Sequence, residues 1–147
     1  MFNILIGGLA GGILGLSFIT LAIFLLPVGY KFGPLASGDI IFAIFFQLFL
    51  SSLGEEFLLR GLAYTSLYER GQEPIGKTLL LISFINLVIY LVQIARFIGT
   101  SFSIWLVIYR FAFGLLATVL RYRQDSTIST ISCNLLFNIL VASILPR

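Results

Sequence analysis

Gly54-Glu55-Glu56-Phe57-Leu58-Leu59-Arg60-Gly61 sets two carboxylates and a guanidinium inside an otherwise apolar run, residues 40–67. On insertion scales a charge at the centre of a bilayer costs about 2.5–3.5 kcal/mol, so such groups persist there only with partners. On a helix Glu56 and Arg60 are i and i+4, share one face and can form an ion pair within their own segment. Glu55 lies about 100° round from Glu56 and has no cation at helical spacing, which leaves it for a group on another segment.

The surrounding composition says what kind of medium the stretch lies in. Of 147 residues, 59% are hydrophobic and 10% charged, and the mean hydropathy is +1.09. A water-soluble domain of this size does not have that balance, so the chain reads as an integral membrane protein. The formal charge of +3 is scattered over loops and helix ends and not gathered into a basic arm, which argues against nucleic-acid binding. Histidine is absent, and that excludes imidazole proton shuttles, His-containing triads and His-ligated metals. No metal or cofactor ligand set is visible. The single cysteine, Cys133, has no partner for an intramolecular disulfide and reads as a small packing residue. The fifteen phenylalanines would suit pigment or isoprenoid neighbours, and ordinary lipid equally well.

Taken in order, residues 3–30 form a first apolar segment, retained as a span and not removed as a signal peptide. Within it Gly7, Gly11 and Gly15 recur every four residues, with Gly8 and Gly12 one position along, a face that lets another backbone approach closely. A second segment, residues 39–69, is too long for one perpendicular crossing, so it is expected to be tilted or broken near residues 51–54. Residues 69–77 make a polar loop, and further spans are expected over residues 77–97, 101–120 and 127–145. The expectation is a single membrane domain over residues 1–147, an all-α integral membrane helical bundle of about five transmembrane segments without β content. Arg70, Lys77, Arg121 and Arg123 precede spans three and five, a slight excess that favours an N-terminus on the cytoplasmic or stromal side.

Three more polar groups stand at membrane depth. Thr130, Asn134 and Asn138 recur every four residues and line one face of the last span. Arg110 lies mid-segment in the fourth, and its most economical partner is Glu55, which would balance two carboxylates with two guanidiniums. In the third, Asn86, Tyr90 and Gln93, continued by Arg96, form a stripe about 200° away from Phe84 and Val88. Both faces cannot look into one cleft. This stripe and the face of Gly7, Gly11 and Gly15 each have two readings, packing against neighbouring spans of the same chain or contact with another protein, and they are the surfaces expected to carry any contact with other membrane proteins.

Laid out in this way, the chain resembles the CPBP family, the type II CAAX prenyl endopeptidases and bacteriocin-processing or immunity proteins also called the Abi family. The family's adjacent glutamates followed by arginine are matched by Glu55, Glu56 and Arg60, with Gly61 next. Its Phe-x-x-x-His signature corresponds to Phe84-Ile85-Asn86-Leu87-Val88, with valine where the family has histidine. Its His-x-x-x-Asn or Asp signature corresponds to Asn134-Leu135-Leu136-Phe137-Asn138, with asparagine for the histidine and the final Asn138 kept. The resemblance covers residues 39–145.

In the family's glutamic intramembrane proteases the glutamate at Glu55 is understood to activate water, while two histidines and an asparagine position it and stabilise the oxyanion. The resemblance therefore implies a site of Glu55, Glu56, Arg60, Asn134 and Asn138, with Val88 unable to contribute and Arg110 joining the Glu56–Arg60 ion pairing. Losing one positioned acid or base costs about 10²–10⁴ in rate, and losing an oxyanion donor about 10²–10³. The expectation is a catalytically degenerate member that acts as a binding, assembly or accessory subunit among other integral membrane proteins in a bacterial inner or thylakoid-type membrane. A residual glutamate-dependent peptidase acting on prenylated or membrane peptides is the alternative, and bacteriocin immunity, resting on family analogy alone, is a second.

Overall fold

The structure, a computed structural model, describes residues 2–25, 30–32, 52–91, 101–141 and 144–146. Five helical segments dominate it. Helix α1 is Phe2–Leu25, and α2 begins as Ser52–Glu56 and continues in π-helical winding through Phe57–Ala63 and Thr65–Arg70. Helices α3, α4 and α5 are Ile75–Ile89, Ser101–Gln124 and Thr127–Val141. The expected start of the second segment near Asp39 lies outside the described residues, as do Gln93 and Arg96.

Contacts between the helices fix their directions. Ser83 of α3 meets Gly114 of α4, and Tyr90 lies under Arg110, so these two helices run antiparallel. Arg60 and Glu69 of α2 reach Gly114 and Arg121 of α4, so those two run parallel. Glu56 and Ser52 meet Asn134 and Asn138, which sets α5 antiparallel to α2. Gly7, Gly11 and Gly15 face Ser129, Cys133 and Leu140 in turn, so the first and last helices are parallel. Successive segments thus alternate in direction, and Arg70, Lys77, Arg121 and Arg123 all fall at the end where α1 begins.

The glycine face is used inside the chain. A side chain at Gly7 would collide with the carbonyl oxygen of Ser129, and one at Gly11 with that of Cys133, so α1 and α5 touch backbone to backbone. Gly7, Gly11 and Gly15 therefore pack on α5 and do not form the expected partner surface. Close approach of this kind drives helix association in a medium where apolar side chains gain nothing by leaving lipid. The opposite side of α1 carries Leu9, Ile13, Leu16 and Phe24, all exposed.

Between α1, α4 and α5 lies an aromatic core of Phe18, Phe102, Phe113 and Phe137 with Leu106, Ala117 and Cys133. Phe113 and Phe137 stack at 4.9 Å, and Phe18 meets Tyr109 edge-on at 5.2 Å. Cys133 is fully buried there as a packing residue. A smaller cluster of Leu59, Tyr64 and Ile82 joins α2 to α3.

One element departs from the expected absence of β structure. Strand β1, Tyr30–Phe32, pairs antiparallel with β2, Ile144–Pro146, with Tyr30 opposite Pro146 and Phe32 opposite Ile144. Because α1 and α5 are parallel, the residues that follow them emerge at the same end, where backbone groups beyond a helix need partners.

Helix α1 and residues Phe102–Gln124 are long and apolar enough to cross a membrane, whereas α3 and α5 are shorter apolar helices. Gly11→Leu is expected to cost at least about 1–3 kcal/mol by overpacking against the α5 backbone. Thermal unfolding in detergent should show it as a lowered melting temperature. Gly8→Ala, where a side chain meets nothing within 4 Å, should leave that temperature unchanged.

Candidate functional site

The first turns of α2 supply the charges. Glu56 and Arg60, four residues apart, form an ion pair with Arg60 Nη1 at 2.8 Å from Glu56 Oε1, and both side chains are 0% exposed. The other arm of the guanidinium, Nη2, donates to the Gly114 carbonyl on α4 at 3.3 Å. Gly114 makes this reach possible. A side chain there would come within 2.8 Å of the Ser83 backbone, so only glycine lets α3 and α4 close at this level. The Arg60 guanidinium also lies 5.6 Å from the Phe113 ring centroid, within cation–π range.

Helix α5 bridges the two glutamates. Asn134 donates from Nδ2 to Glu56 Oε1 at 2.8 Å and, at 3.4 Å, toward Glu55 Oε2. One turn on, Asn138 donates to Asn134 Oδ1 at 2.6 Å and to Ser52 Oγ at 3.2 Å. The third residue on the line, Thr130, is buried and donates to the Thr127 carbonyl of its own helix.

Tyr90 closes the other side of Glu55. Its hydroxyl is directed at both carboxylate oxygens, 2.8 and 2.7 Å away. Arg110 lies over the Tyr90 ring with Cζ 3.6 Å from the centroid, and donates from Nη1 to Asn138 Oδ1 at 3.1 Å. The expected link between Arg110 and Glu55 therefore runs through Tyr90 on one side and through Asn138 and Asn134 on the other. The result is a continuous polar ring drawn from four helices, holding two carboxylates and two guanidiniums.

The structure brings together Glu55, Glu56, Arg60, Arg110, Asn134 and Asn138. It moves the contribution of the third span. Phe84 and Val88 are 59% and 45% exposed and face away from the glutamates, whereas Asn86 is fully buried and Tyr90 reaches Glu55. Val88 is thus no part of the site, and Asn86 and Tyr90 turn inward and do not form a partner surface. The position facing Glu55 from this helix belongs to Tyr90. Its signal was present in the sequence: at membrane depth the polar stripe, not the apolar one, faces the bundle interior.

Among the described residues no group of three or more His, Cys, Asp or Glu comes together. On the outer face of α2, Gly54 and Gly61 with Phe57, Leu58 and Leu62 line an apolar groove of about 420 Å³. At the end of the bundle Arg121 pairs with Glu69 at 3.0 Å and with Asp125, and joins α2 to α4 beyond the ring.

The fold and the polar ring define an all-α membrane protein with two adjacent glutamates, Glu56 buried and Glu55 partly exposed, in its polar core. The family model for type II CAAX prenyl endopeptidase Rce1-like proteins matches residues 37–140. The chain belongs to that family. No match is found among curated proteins or among solved structures.

Removing one partner of a buried ion pair costs about 3–5 kcal/mol, because the other charge is left uncompensated. Arg60→Ala is expected to lose stability on that scale, measured by denaturant titration in detergent. Arg60→Lys should recover only part of it, since an ammonium cannot span Glu56 and the Gly114 carbonyl as the fork does.

Proposed function

We propose that this chain is a catalytically silent family member, a multi-pass protein of a bacterial inner or thylakoid-type membrane that works by binding other integral membrane proteins as an accessory or assembly subunit. The observation that carries this reading is the engagement of Glu55. Both of its carboxylate oxygens accept from Tyr90, and Asn134 ties it to Glu56. In the peptidases the corresponding glutamate is understood to activate water that two histidines and an asparagine position, with an oxyanion to stabilise. Here a phenol and two amides stand around it, and the sequence holds no histidine. These groups donate hydrogen bonds to the carboxylate, and neither of the family's imidazoles is among them.

The glycine stripe and the Asn86–Tyr90 face pack inward, so binding falls to the outer surface. The groove of α2 suits an apolar neighbour, because Gly54 meets nothing within 4 Å where a side chain would stand.

A residual peptidase is the second reading, favoured by one observation. Glu55 is partly exposed while Glu56 is fully buried, and donors from three helices converge on or beside it. The two readings part on a single experiment. The chain purified in mild detergent from its native membrane is incubated with prenylated and membrane-spanning peptides, alongside Glu55→Gln. No cleavage above the Glu55→Gln background, together with a reproducible membrane-protein partner in the preparation, is the expected result. Turnover that disappears in Glu55→Gln, or a chain that purifies alone every time, would overturn the accessory role.

A further inference from the structure

Asn86 is 0% exposed, yet neither its side-chain oxygen nor its nitrogen meets a hydrogen-bond partner in the protein. A buried amide in that state is costly, and natural proteins keep few of them. Two further orphan atoms lie in the neighbouring ion pair. Arg60 Nη1 and Asn134 Nδ2 both donate to Glu56 Oε1, which leaves the fully buried Oε2 without a donor, and Arg60 Nε is likewise without an acceptor.

These groups share one region of the bundle. Ser83, Asn86 and Tyr90 stand at i, i+3 and i+7, on one face of α3. Ser83 abuts Gly114, whose carbonyl binds Arg60, and Ile82 packs with Leu59 of α2. Asn86 follows Ser83 on that face by one helical turn, about 4.5 Å along the axis. The orphan set is also mixed in kind: Asn86 Oδ1 and Glu56 Oε2 accept, while Asn86 Nδ2 and Arg60 Nε donate. Water, with two protons to give and two lone pairs to receive, complements such a set, and a buried water typically makes about three hydrogen bonds.

We propose that Asn86 anchors an internal water site between α2, α3 and α4, in which bound water joins the Asn86 amide to Glu56 Oε2 or Arg60 Nε. The site is distinct from the Asn134 contact on Glu56 Oε1 and is independent of whether Glu55 retains any activity. It makes Asn86 a structural ligand of the charged core, although no protein group hydrogen-bonds its amide.

The test turns on a sign. If the Asn86 amide merely lacked partners, Asn86→Leu would remove an unsatisfied polar group and leave the melting temperature unchanged or raised. If the amide holds water shared with the ion pair, the same change strands Glu56 Oε2 or Arg60 Nε, and the full chain in detergent should melt lower by about 4 °C or more. An unchanged or raised melting temperature overturns the proposal. An experimental structure of the wild-type chain at a resolution that shows solvent gives the second arm and decides the matter even if the variant does not fold. Water density within about 3.2 Å of Asn86 and of Glu56 Oε2 or Arg60 Nε is expected. An Asn86 amide bonded only to protein groups, or surrounded by no solvent density, overturns it.

Discussion

A carboxylate and a guanidinium held 2.8 Å apart with no exposed surface are the constraint to which the rest of this molecule answers. Taking two charges out of water costs several kcal/mol per ion, and only good geometry with further hydrogen bonds offsets it. The neighbouring helices supply those bonds: α4 offers the Gly114 carbonyl and α5 the Asn134 amide. Gly114 also sets the approach of α3, because a side chain there would meet the Ser83 backbone.

The first helix touches none of this, yet the site depends on it. Glycines on α1 bring its backbone against α5, and α5 carries both asparagines of the ring. The α1–α5 contact thus sets how deep Asn134 and Asn138 stand relative to the glutamates. In a lipid medium such close packing does what burial of apolar surface does in water.

Much of this arrangement was legible beforehand. Charges in an apolar run have to be paired, and helical spacing gave the Glu56–Arg60 bond directly. The asparagine line on α5 was readable from its period of four. The face of the third span was misread, because the family signature was laid on Phe84 and Val88. A shift of two residues on a helix turns about 200°, so that alignment pointed Tyr90 outward. The physical criterion, that polar groups at membrane depth turn inward, would have favoured Asn86 and Tyr90 over the motif. The Tyr90 bridge between Arg110 and Glu55 was less accessible, since spacing says which groups share a level but not which one stands between. The β1–β2 pairing was out of reach of periodicity altogether, because it follows from two distant helices ending side by side.

The polar ring contains Glu55, Glu56, Arg60 and Arg110, and their formal charges sum to zero. In a membrane that sustains a voltage, moving one elementary charge across it involves about 2.3 kcal/mol per 100 mV. A cluster of zero total charge feels no net force from that field, so energising or de-energising the membrane does not pull the bundle along the membrane normal through this cluster. Had the fourth span carried a leucine in place of Arg110, the core would have held an excess negative charge and would have been coupled to the membrane voltage.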